Sequence, residues 1–330
     1  MKKIVTIPTK NEALTLPCAL EALTQVFDVI LVADQDSTDG TRDICKQYSK
    51  VVLIENKDKG HSNRVRWTLL DAARNYEGNN LIFAIDADEI IPPVLLNNYL
   101  QTHASCLTPG VCLEFQWIQL WKSLERYRDD GVWANSWKSI AFVDDRQMDY
   151  ERAFVINDHT ARVPQSSAGT CIRVEGIPLL HLQWVCWNRT QIKQAWYRCT
   201  EFLLAPEQGL AINAKYSVSL DSPEAILRET PSSWFEGFSV PSDFENLEPG
   251  WHLQEMLQWF DLHGIDFFEP LQIWHVPQLR NEFICRMGRE PHSLVPSVPI
   301  PTPQNMTPFV LLKQWIPVRL KQQLKDWIRR

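Results

Sequence analysis

The sequence predicts an α/β protein with a mostly parallel β-sheet flanked by helices and a less regular α+β part towards the C-terminus. Two observations support this fold class. Over the first hundred residues, short apolar runs rich in β-branched residues alternate with segments of helical periodicity. From about residue 111 the pattern changes to longer, aromatic-rich strand candidates. Regular alternation of strands and helices is typical of parallel strands joined by right-handed crossovers.

The first part contains four predicted strands, at 3–7, 29–33, 51–54 and 81–85. Helical patterns fill the intervals between them, at 16–23, 41–48 and 65–76. In the last of these, Val65, Leu69, Ala72 and Tyr76 recur at a spacing that brings them to one buried face. Ligands of such sheets bind beyond the carboxyl ends of the strands, so the polar residues there are the first candidates for a site.

The later segments are predicted with less regular structure. Strand candidates lie at 111–121 and 137–143, and a helix is expected at 190–204. A further helix should begin near Pro249 and end at Gly264. Residues 291–308 hold six prolines and no charged residue, which indicates an extended linker.

Composition limits the function classes. The chain has 330 residues and a net charge of -7, which disfavours binding to duplex nucleic acid. No run reaches the roughly 20 apolar residues of a membrane span, and the N-terminus lacks the apolar stretch of a signal peptide. The eight cysteines include no CxxC pair, which favours free thiols in a reducing compartment. We expect a cytoplasmic protein.

Segments rich in polar residues follow three of the four strands. They are Pro8-Thr9-Lys10-Asn11-Glu12 after the first strand, Asp34 to Thr41, which begins Asp34-Gln35, after the second, and Asp86-Ala87-Asp88-Glu89 after the fourth. In an extended segment Asp86 and Asp88 share a face, and a divalent cation would relieve the repulsion between carboxylates so close together. The alternative is that these acids cap the helix that follows.

These motifs resemble those of the inverting family 2 glycosyltransferases, which have the Rossmann-like GT-A fold. The resemblance rests on Ile7 to Glu12, Leu31 to Thr41, Gly60 to Arg64 and the DxD motif Asp86-Ala87-Asp88. It implies a nucleotide-sugar-binding half at 1–105 and an acceptor and catalytic half at 106–205. Beyond the resemblance, turn signals and one helical pattern predict an α+β extension at 206–290. The expected activity is metal-dependent, inverting sugar transfer from a UDP-sugar to a glycan or a lipid-linked acceptor.

The resemblance also implies roles for single residues. The nucleotide would be bound by eight of them: Pro8, Thr9, Glu12, Asp34, Gln35, Asn63, Arg64 and Asp86. Mg²⁺ or Mn²⁺ would be held by Asp86 and Asp88, with His181 as a further ligand or, alternatively, a hydrogen-bonded histidine on an apolar strand. The acceptor's proton would be taken by Asp158, with Glu151 in reserve. Among the many tryptophans, Trp133 and Trp137 are the best candidates for stacking on a sugar.

Two other functions are open from sequence. One is a catalytically inactive, sugar-binding or scaffold module of the same fold. The other is a sugar-1-phosphate nucleotidyltransferase, which is disfavoured because residues 8–11 contain no glycine for a triphosphate-binding loop.

The tail at 309–330 carries six basic residues and one acid, so its net charge is +5 and the rest of the chain sums to -12. Its apolar residues recur at helical spacing between the cations, which is typical of a helix lying on an anionic membrane surface. The alternative is a helix that packs on the acidic body. If the first holds, the protein is peripheral on the inner face of a membrane.

Overall fold

A computed structural model describes residues 1–58, 62–150, 161–164, 170–217, 225–241, 244 and 250–292. The chain divides into two compact units. The first comprises residues 1–191 and 224–252, and the second comprises residues 192–223 and 253–330. The predicted domain limits at 105, 205, 290 and 308 stay predictions.

The first unit begins with the predicted alternation of strands and helices. Its first four strands are β1 (Lys3–Thr9), β2 (Val29–Asp34), β3 (Val51–Glu55) and β4 (Leu81–Ala84), with α1 (Leu16–Leu23), α2 (Thr41–Lys46) and α3 (Arg64–Ala73) between them. β1 pairs in parallel with both β2 and β4, and β2 pairs in parallel with β3. The α/β fold class with a mostly parallel sheet is confirmed.

The second half of this unit extends the same sheet. It adds β5 (Glu89–Ile90), α4 (Pro93–Thr102), β6 (Cys112–Gln119), β7 (Arg126–Arg128), β8 (Trp137–Val143) and β9 (Cys171–His181). The strand order of the eight-stranded sheet is β3-β2-β1-β4-β8-β6-β9-β5. β8 runs antiparallel to β4 and β6, whereas β9 is parallel to β6. β7 pairs instead with β10 (Leu227–Glu229).

The central strands are fully covered by side chains. Every residue of β2 and β4 is buried, as expected for strands with helices on both faces of the sheet. Phe83 of β4 makes an edge contact with Phe27, at a ring distance of 5.0 Å, and contacts Phe115 of β6 at 5.9 Å. This continuous apolar core leaves the strand ends as the place where polar side chains accumulate.

The helix α5 (Trp187–Leu204) contains the boundary between the units. The second unit contains α6 (Gly209–Tyr216), most of α7 (Trp251–His263), and α8 (Pro277–Met287). α7 ends as predicted, because Gly264 follows it with φ +84°, a value that favours glycine. The core of the unit is aromatic: Phe260, Trp274 and Phe283 are fully buried, with ring distances of 6.1 and 4.7 Å about Trp274.

Among the helices that the structure describes, none is long and apolar enough to cross a membrane. The tail at 309–330 lies outside the described residues, so its predicted helix is untested.

Candidate functional site

The ends of β1 and β2 form one connected edge. The Thr38 amide donates to the Asn11 side chain at 2.7 Å, and the Asn11 amide donates to the Ser37 hydroxyl at 2.8 Å. The Glu12 amide donates to the Thr41 hydroxyl at 2.9 Å. Asn11 lies at φ 53°, which asparagine accepts more readily than most side chains. The two loops predicted to bind the nucleotide are therefore held against each other.

Asp34, at the end of β2, retains hydrogen-bonding capacity. It is 2 % exposed, and its Oδ2 accepts from the Ser37 amide at 3.1 Å and lies 3.6 Å from the Arg42 guanidinium. Within the described residues, neither its buried Oδ1 nor the buried Thr9 hydroxyl has a hydrogen-bond partner. Buried polar atoms usually have partners, so these two are candidates for ligand contacts.

Glu12 is held by a buried ion pair. Its Oε2 accepts from Arg189 at 2.8 Å and from the Thr15 hydroxyl at 2.8 Å. Arg189 lies in the first turn of α5, and it is 7 % exposed. Burial opposes the charge of Arg189, but Glu12, and more weakly Asp88, outweigh it and raise its pKa. Arg189 thus links the edge formed by the ends of β1 and β2 electrostatically to the DxD motif.

The two aspartates of the DxD motif have different partners. One Asp86 oxygen accepts from Arg66 at 2.8 Å, and the other accepts from Arg162 at 2.5 Å. Burial alone would raise the pKa of Asp86, but the charges of Arg162 and Arg66 outweigh it and hold that pKa below its usual value. Asp86 is therefore ionised and already occupied by two guanidinium groups.

Glu89, one residue beyond the motif, completes this ion-pair network. It is fully buried, and its carboxylate accepts from Arg162 at 2.6 and 3.0 Å, from the Trp117 indole at 2.8 Å and from the Asp86 amide at 2.9 Å. A buried carboxylate needs such compensation. Arg162 therefore ties Asp86 and Glu89 together.

Asp88 faces a histidine instead. Its Oδ2 lies 3.5 Å from the His181 Nε2, and both side chains are over nine-tenths buried. Nδ1 of His181 lies 2.7 Å from the Gln119 Oε1, which places a proton on Nδ1, so in the neutral imidazole Nε2 presents a lone pair to the carboxylate. Two facing lone pairs are unfavourable unless a proton on Nε2 or a metal cation lies between them.

The Asp88–His181 pair fits a divalent metal. Adjacent ligand atoms of an octahedral ion with bonds of about 2.1 Å lie about 3 Å apart, close to the separation found here. A second hydrogen bond that fixes the histidine tautomer, as Gln119 does, is the usual arrangement around metal-binding histidines. Among the described residues no group of three or more His, Cys, Asp or Glu side chains could hold a metal. The pair would therefore share the ion with ligand oxygens or water.

The remaining predicted residues lie around this centre or outside the description. Arg64 is about half exposed, lies 3.8 Å from Asp58 and lines a cavity of about 310 Å³ beyond β3. Gln35 donates to the Asp58 carbonyl, Pro8 lies within β1, and Asn63 precedes α3. Asp158 and Glu151 lie outside the described residues. Their role as base stays a prediction.

Three tryptophans near the DxD motif form a contact chain. Trp117 stacks on His181 with 4.8 Å between ring centres, and Trp133 lies 6.2 Å from Trp117 and 5.8 Å from Trp184. Trp137 is apart from this chain, with Arg173 over its ring at 5.1 Å. Of the two predicted stacking residues, Trp133 is the one whose ring contacts Trp117.

Sequence reasoning missed the cations and the amide that organise the site: Arg66, Arg162, Arg189, Lys138 and Gln119. For Arg66 a signal was available, because it directly follows Val65 on the buried side of α3, where an arginine needs a partner. Arg162 is 73 positions from its partner Glu89 in the chain, and Arg189 is 177 positions from Glu12. No local sequence pattern predicts pairs so far apart.

Comparison with known proteins relates the first part of the chain to one family. Residues 4–111 match the model of "Glycosyl transferase family 2". The match covers about a third of the chain and includes β2 to β4 together with Asp34, Asp86 and Asp88, so the resemblance of this part to that family is confirmed. A search of curated proteins finds no match to the chain.

The solved structures that the chain matches include TarS of S. aureus. The full TarS chain is 12% identical, with a TM-score of 0.39, and the alignment covers 87% of this chain and 53% of TarS, so this chain spans about half the length of TarS. TarS 1–349 with UDP-GlcNAc is 14% identical over 87% of this chain and 88% of that one, with a TM-score of 0.36. A structure of 4-diphosphocytidyl-2C-methyl-D-erythritol synthase is 14% identical over 43% of this chain and 76% of that one, with a TM-score of 0.30.

Proposed function

We propose that this protein is a metal-dependent, inverting glycosyltransferase that moves a sugar from a nucleotide sugar, in the first instance a UDP-sugar, to a glycan or a lipid-linked acceptor. The observation that carries the proposal is the juxtaposition of Asp88, which follows β4 within the segment that matches the family 2 model, with His181 at the end of β9. This is the edge of the sheet at which ligands of parallel α/β proteins bind.

The nucleoside half of the donor is proposed to lie at the ends of β1 and β2. Asp34 Oδ1 and the Thr9 hydroxyl offer buried polar atoms there, and the Glu12 carboxylate is held in position by Arg189. Hydrogen bonds from ribose or base would satisfy the two unpartnered oxygens. Binding would then recover the desolvation cost of those atoms, which favours a specific ligand over water.

Asp88 and His181 are proposed to hold Mg²⁺ or Mn²⁺, which when bound would stabilise negative charge on a departing diphosphate. Asp86 is proposed to act through its guanidinium partners rather than as a direct metal ligand, because Arg66 and Arg162 already occupy both of its oxygens. Arg66, which is 5 % exposed and whose Nε and Nη1 have no hydrogen-bond partner among the described residues, could also donate to donor oxygens.

Sugar transfer with inversion is a single displacement. An acceptor hydroxyl oxygen forms a bond to the sugar C1 as the bond from C1 to the diphosphate oxygen breaks, and the diphosphate leaves with that electron pair. A carboxylate on the acceptor side takes the hydroxyl proton. Asp158 is the first candidate and Glu151 the second, and substitution of each is the direct test.

The activity is tested by incubating the full-length protein with UDP-sugars and measuring release of UDP with and without Mn²⁺. We expect metal-dependent release from at least one UDP-sugar, and its loss in Asp88→Asn. Metal-dependent UDP binding without turnover would support the inactive module instead. Neither turnover nor metal-dependent UDP binding would refute the proposed function.

A further inference from the structure

Lys138, in β8, is a cation with no carboxylate partner among the residues that the structure describes. Its side chain is mostly removed from water, and the contact that the structure gives its ammonium group is the ring of Trp117, at 4.5 Å from the ring centre. In the described part of the chain it makes no hydrogen bond or ion pair. Lys46, Lys57 and Lys215, by contrast, each pair with an acid.

The acids near Lys138 are already paired with other groups. Glu89 is filled by Arg162 and Trp117, and Asp86 by Arg66 and Arg162. Burial lowers the pKa of Lys138, and the like charge of Arg162 lowers it further against the opposing effect of Glu89. The ammonium group therefore lies in a partly desolvated place, with Arg162 as a like charge and with Glu89 and Asp86 as opposing charges.

An unpaired, desolvated ammonium is costly, and one cation–π contact offsets only part of that cost. A ligand oxyanion would offset far more, since charge-assisted hydrogen bonds are about twice as strong as neutral ones. Trp133 adds a second donor beside the same indole, because its buried Nε1 has no acceptor among the described residues.

The position of Lys138 limits which anion it could meet. Trp117 contacts both Lys138 and the proposed metal ligand His181. Lys138 therefore lies one ring away from the Asp88–His181 pair. The groups that a metal-bound diphosphate would bring beside that pair are the transferred sugar and the acceptor.

We propose that Lys138, seated on Trp117, forms a subsite for an oxyanion, a carboxylate or a phosphate, carried by the transferred sugar or by the acceptor. This inference rests on the proposed function for the identity of the ligand, but the anion subsite itself does not depend on catalysis. If the subsite exists, the substrates include either a nucleotide sugar with an acidic sugar or an acceptor that carries a negative charge.

The first experiment tests the subsite without a nucleotide. Inorganic phosphate is titrated into the full-length protein while tryptophan fluorescence is followed, in wild type and in Lys138→Gln. We expect a saturable change in wild type that weakens at least about tenfold in Lys138→Gln, a loss of about 1.4 kcal/mol. Equal responses in the two proteins, or no response in wild type, would overturn the subsite whether or not the protein is a transferase.

Two further arms separate the sources of the anion. With Mn²⁺ present, calorimetry compares UDP-glucuronic acid with UDP-glucose; with Mn²⁺ and UDP saturating, it compares glycerol 1-phosphate with glycerol. We expect one anionic probe to bind at least about tenfold more tightly than its neutral counterpart, and Lys138→Gln to abolish that difference alone. If UDP fails to bind wild type while phosphate still does, the proposed function fails and the subsite stands.

The matched control is Lys122→Gln. Lys122 also lies over an indole, that of Trp187, at 4.6 Å, but outside the contacts of Trp117. The variant Lys122→Gln should leave both differences between the anionic and the neutral probes unchanged. Lys138→Arg, which keeps the charge, should retain the preference for the anion, whereas equal loss in Lys138→Arg, Lys138→Gln and Lys122→Gln would attribute the effect to disturbed packing and refute the subsite.

Discussion

Asp86 and Asp88 are two positions apart, yet their surroundings give them different chemistry. Two arginines neutralise Asp86, whereas Asp88 faces an imidazole whose tautomer is fixed by Gln119. The DxD pattern predicts two carboxylates on one face, but it carries no information about which cations approach each of them. That division of roles is a property of single side chains brought together from distant parts of the chain.

Metal binding should follow this division. With UDP present, we expect Asp88→Asn and His181→Ala each to weaken Mn²⁺ binding, measured by electron paramagnetic resonance, by at least about tenfold. Gln119→Leu, which removes only the orienting hydrogen bond, should cost about 10- to 100-fold. Asp86→Asn should have the smallest effect, and an effect of Asp86→Asn larger than that of Asp88→Asn would contradict the assignment.

Arg162 should position the site as well as stabilise the fold. Arg162→Gln leaves Glu89 buried without its counter-charge, which should cost about 3–5 kcal/mol in the free energy of unfolding by urea. Arg74→Gln is the matched control, because Arg74 makes a similar bidentate pair with the buried Asp144 at 2.7 and 2.8 Å, with no contact to the DxD motif.

Both variants should lose stability, but only Arg162→Gln should lower Mn²⁺ affinity and metal-dependent UDP release when each protein is assayed well below its unfolding temperature. Arg162→Lys should recover part of the stability and little of the activity, since one ammonium cannot bridge two carboxylates as a guanidinium does. If Arg74→Gln loses as much activity as Arg162→Gln, the role of Arg162 is to stabilise the fold only.

At the scale of elements, a bulge in β9 determines the position of the His181 side chain. Phe115 of β6 pairs with Val174, but the next residue, Gln116, pairs with Pro178, so residues 175–177 of β9 are extra. Beyond this bulge the register brings His181 opposite both Gln119 and Glu89. Bulges commonly re-aim side chains near sites.

Gly176, in this bulge, has φ +77°, and a Cβ added there would meet nothing within 4 Å. Gly176→Ala should therefore cost about 1–2 kcal/mol through backbone strain alone. Gly176→Asn should cost less, because asparagine tolerates left-handed conformations. Thermal unfolding of the two variants checks this, and an alanine variant as stable as wild type would show that the bulge is not under strain.

At the scale of the whole molecule, the uneven charge still separates two hypotheses. The tail carries +5 and the rest of the chain -12. If the tail lies on anionic lipid, each cation near the surface adds about 1 kcal/mol of attraction. Full-length protein should then co-sediment with vesicles containing phosphatidylserine, and a variant ending at residue 308 should not. Equal sedimentation of the two proteins would refute the anchor.

His275, in the second unit, should make the free energy of unfolding depend on pH under mildly acid conditions. Burial and the charge of Arg198 lower the pKa of His275 to about 4, against about 6.5 in an unfolded chain. Between these values the unfolded state binds the extra proton, so stability is present above pH 6.5 and falls as pH drops towards 4, by at most about 1.4 kcal/mol per pH unit.

His275→Gln should flatten this part of the curve of unfolding free energy against pH. The same substitution at the exposed His103 serves as the control. A curve for His275→Gln that keeps the wild-type slope would show that other groups dominate the acid response.

Periodicity and strand-end polarity were enough to predict β1 to β4, the helices between them and the positions of Asp34, Asp86 and Asp88, because these depend on local spacing and on burial of one face. The short strand β5, the bulge in β9 and the pairing of β8 with β4 depend on tertiary contacts and were not predicted. The same holds for Arg66, Arg162, Arg189 and Lys138, since a charge is paired or left unpaired only when distant segments meet. Local sequence therefore decided the carboxylates of the site, and the tertiary structure decided which cations accompany them.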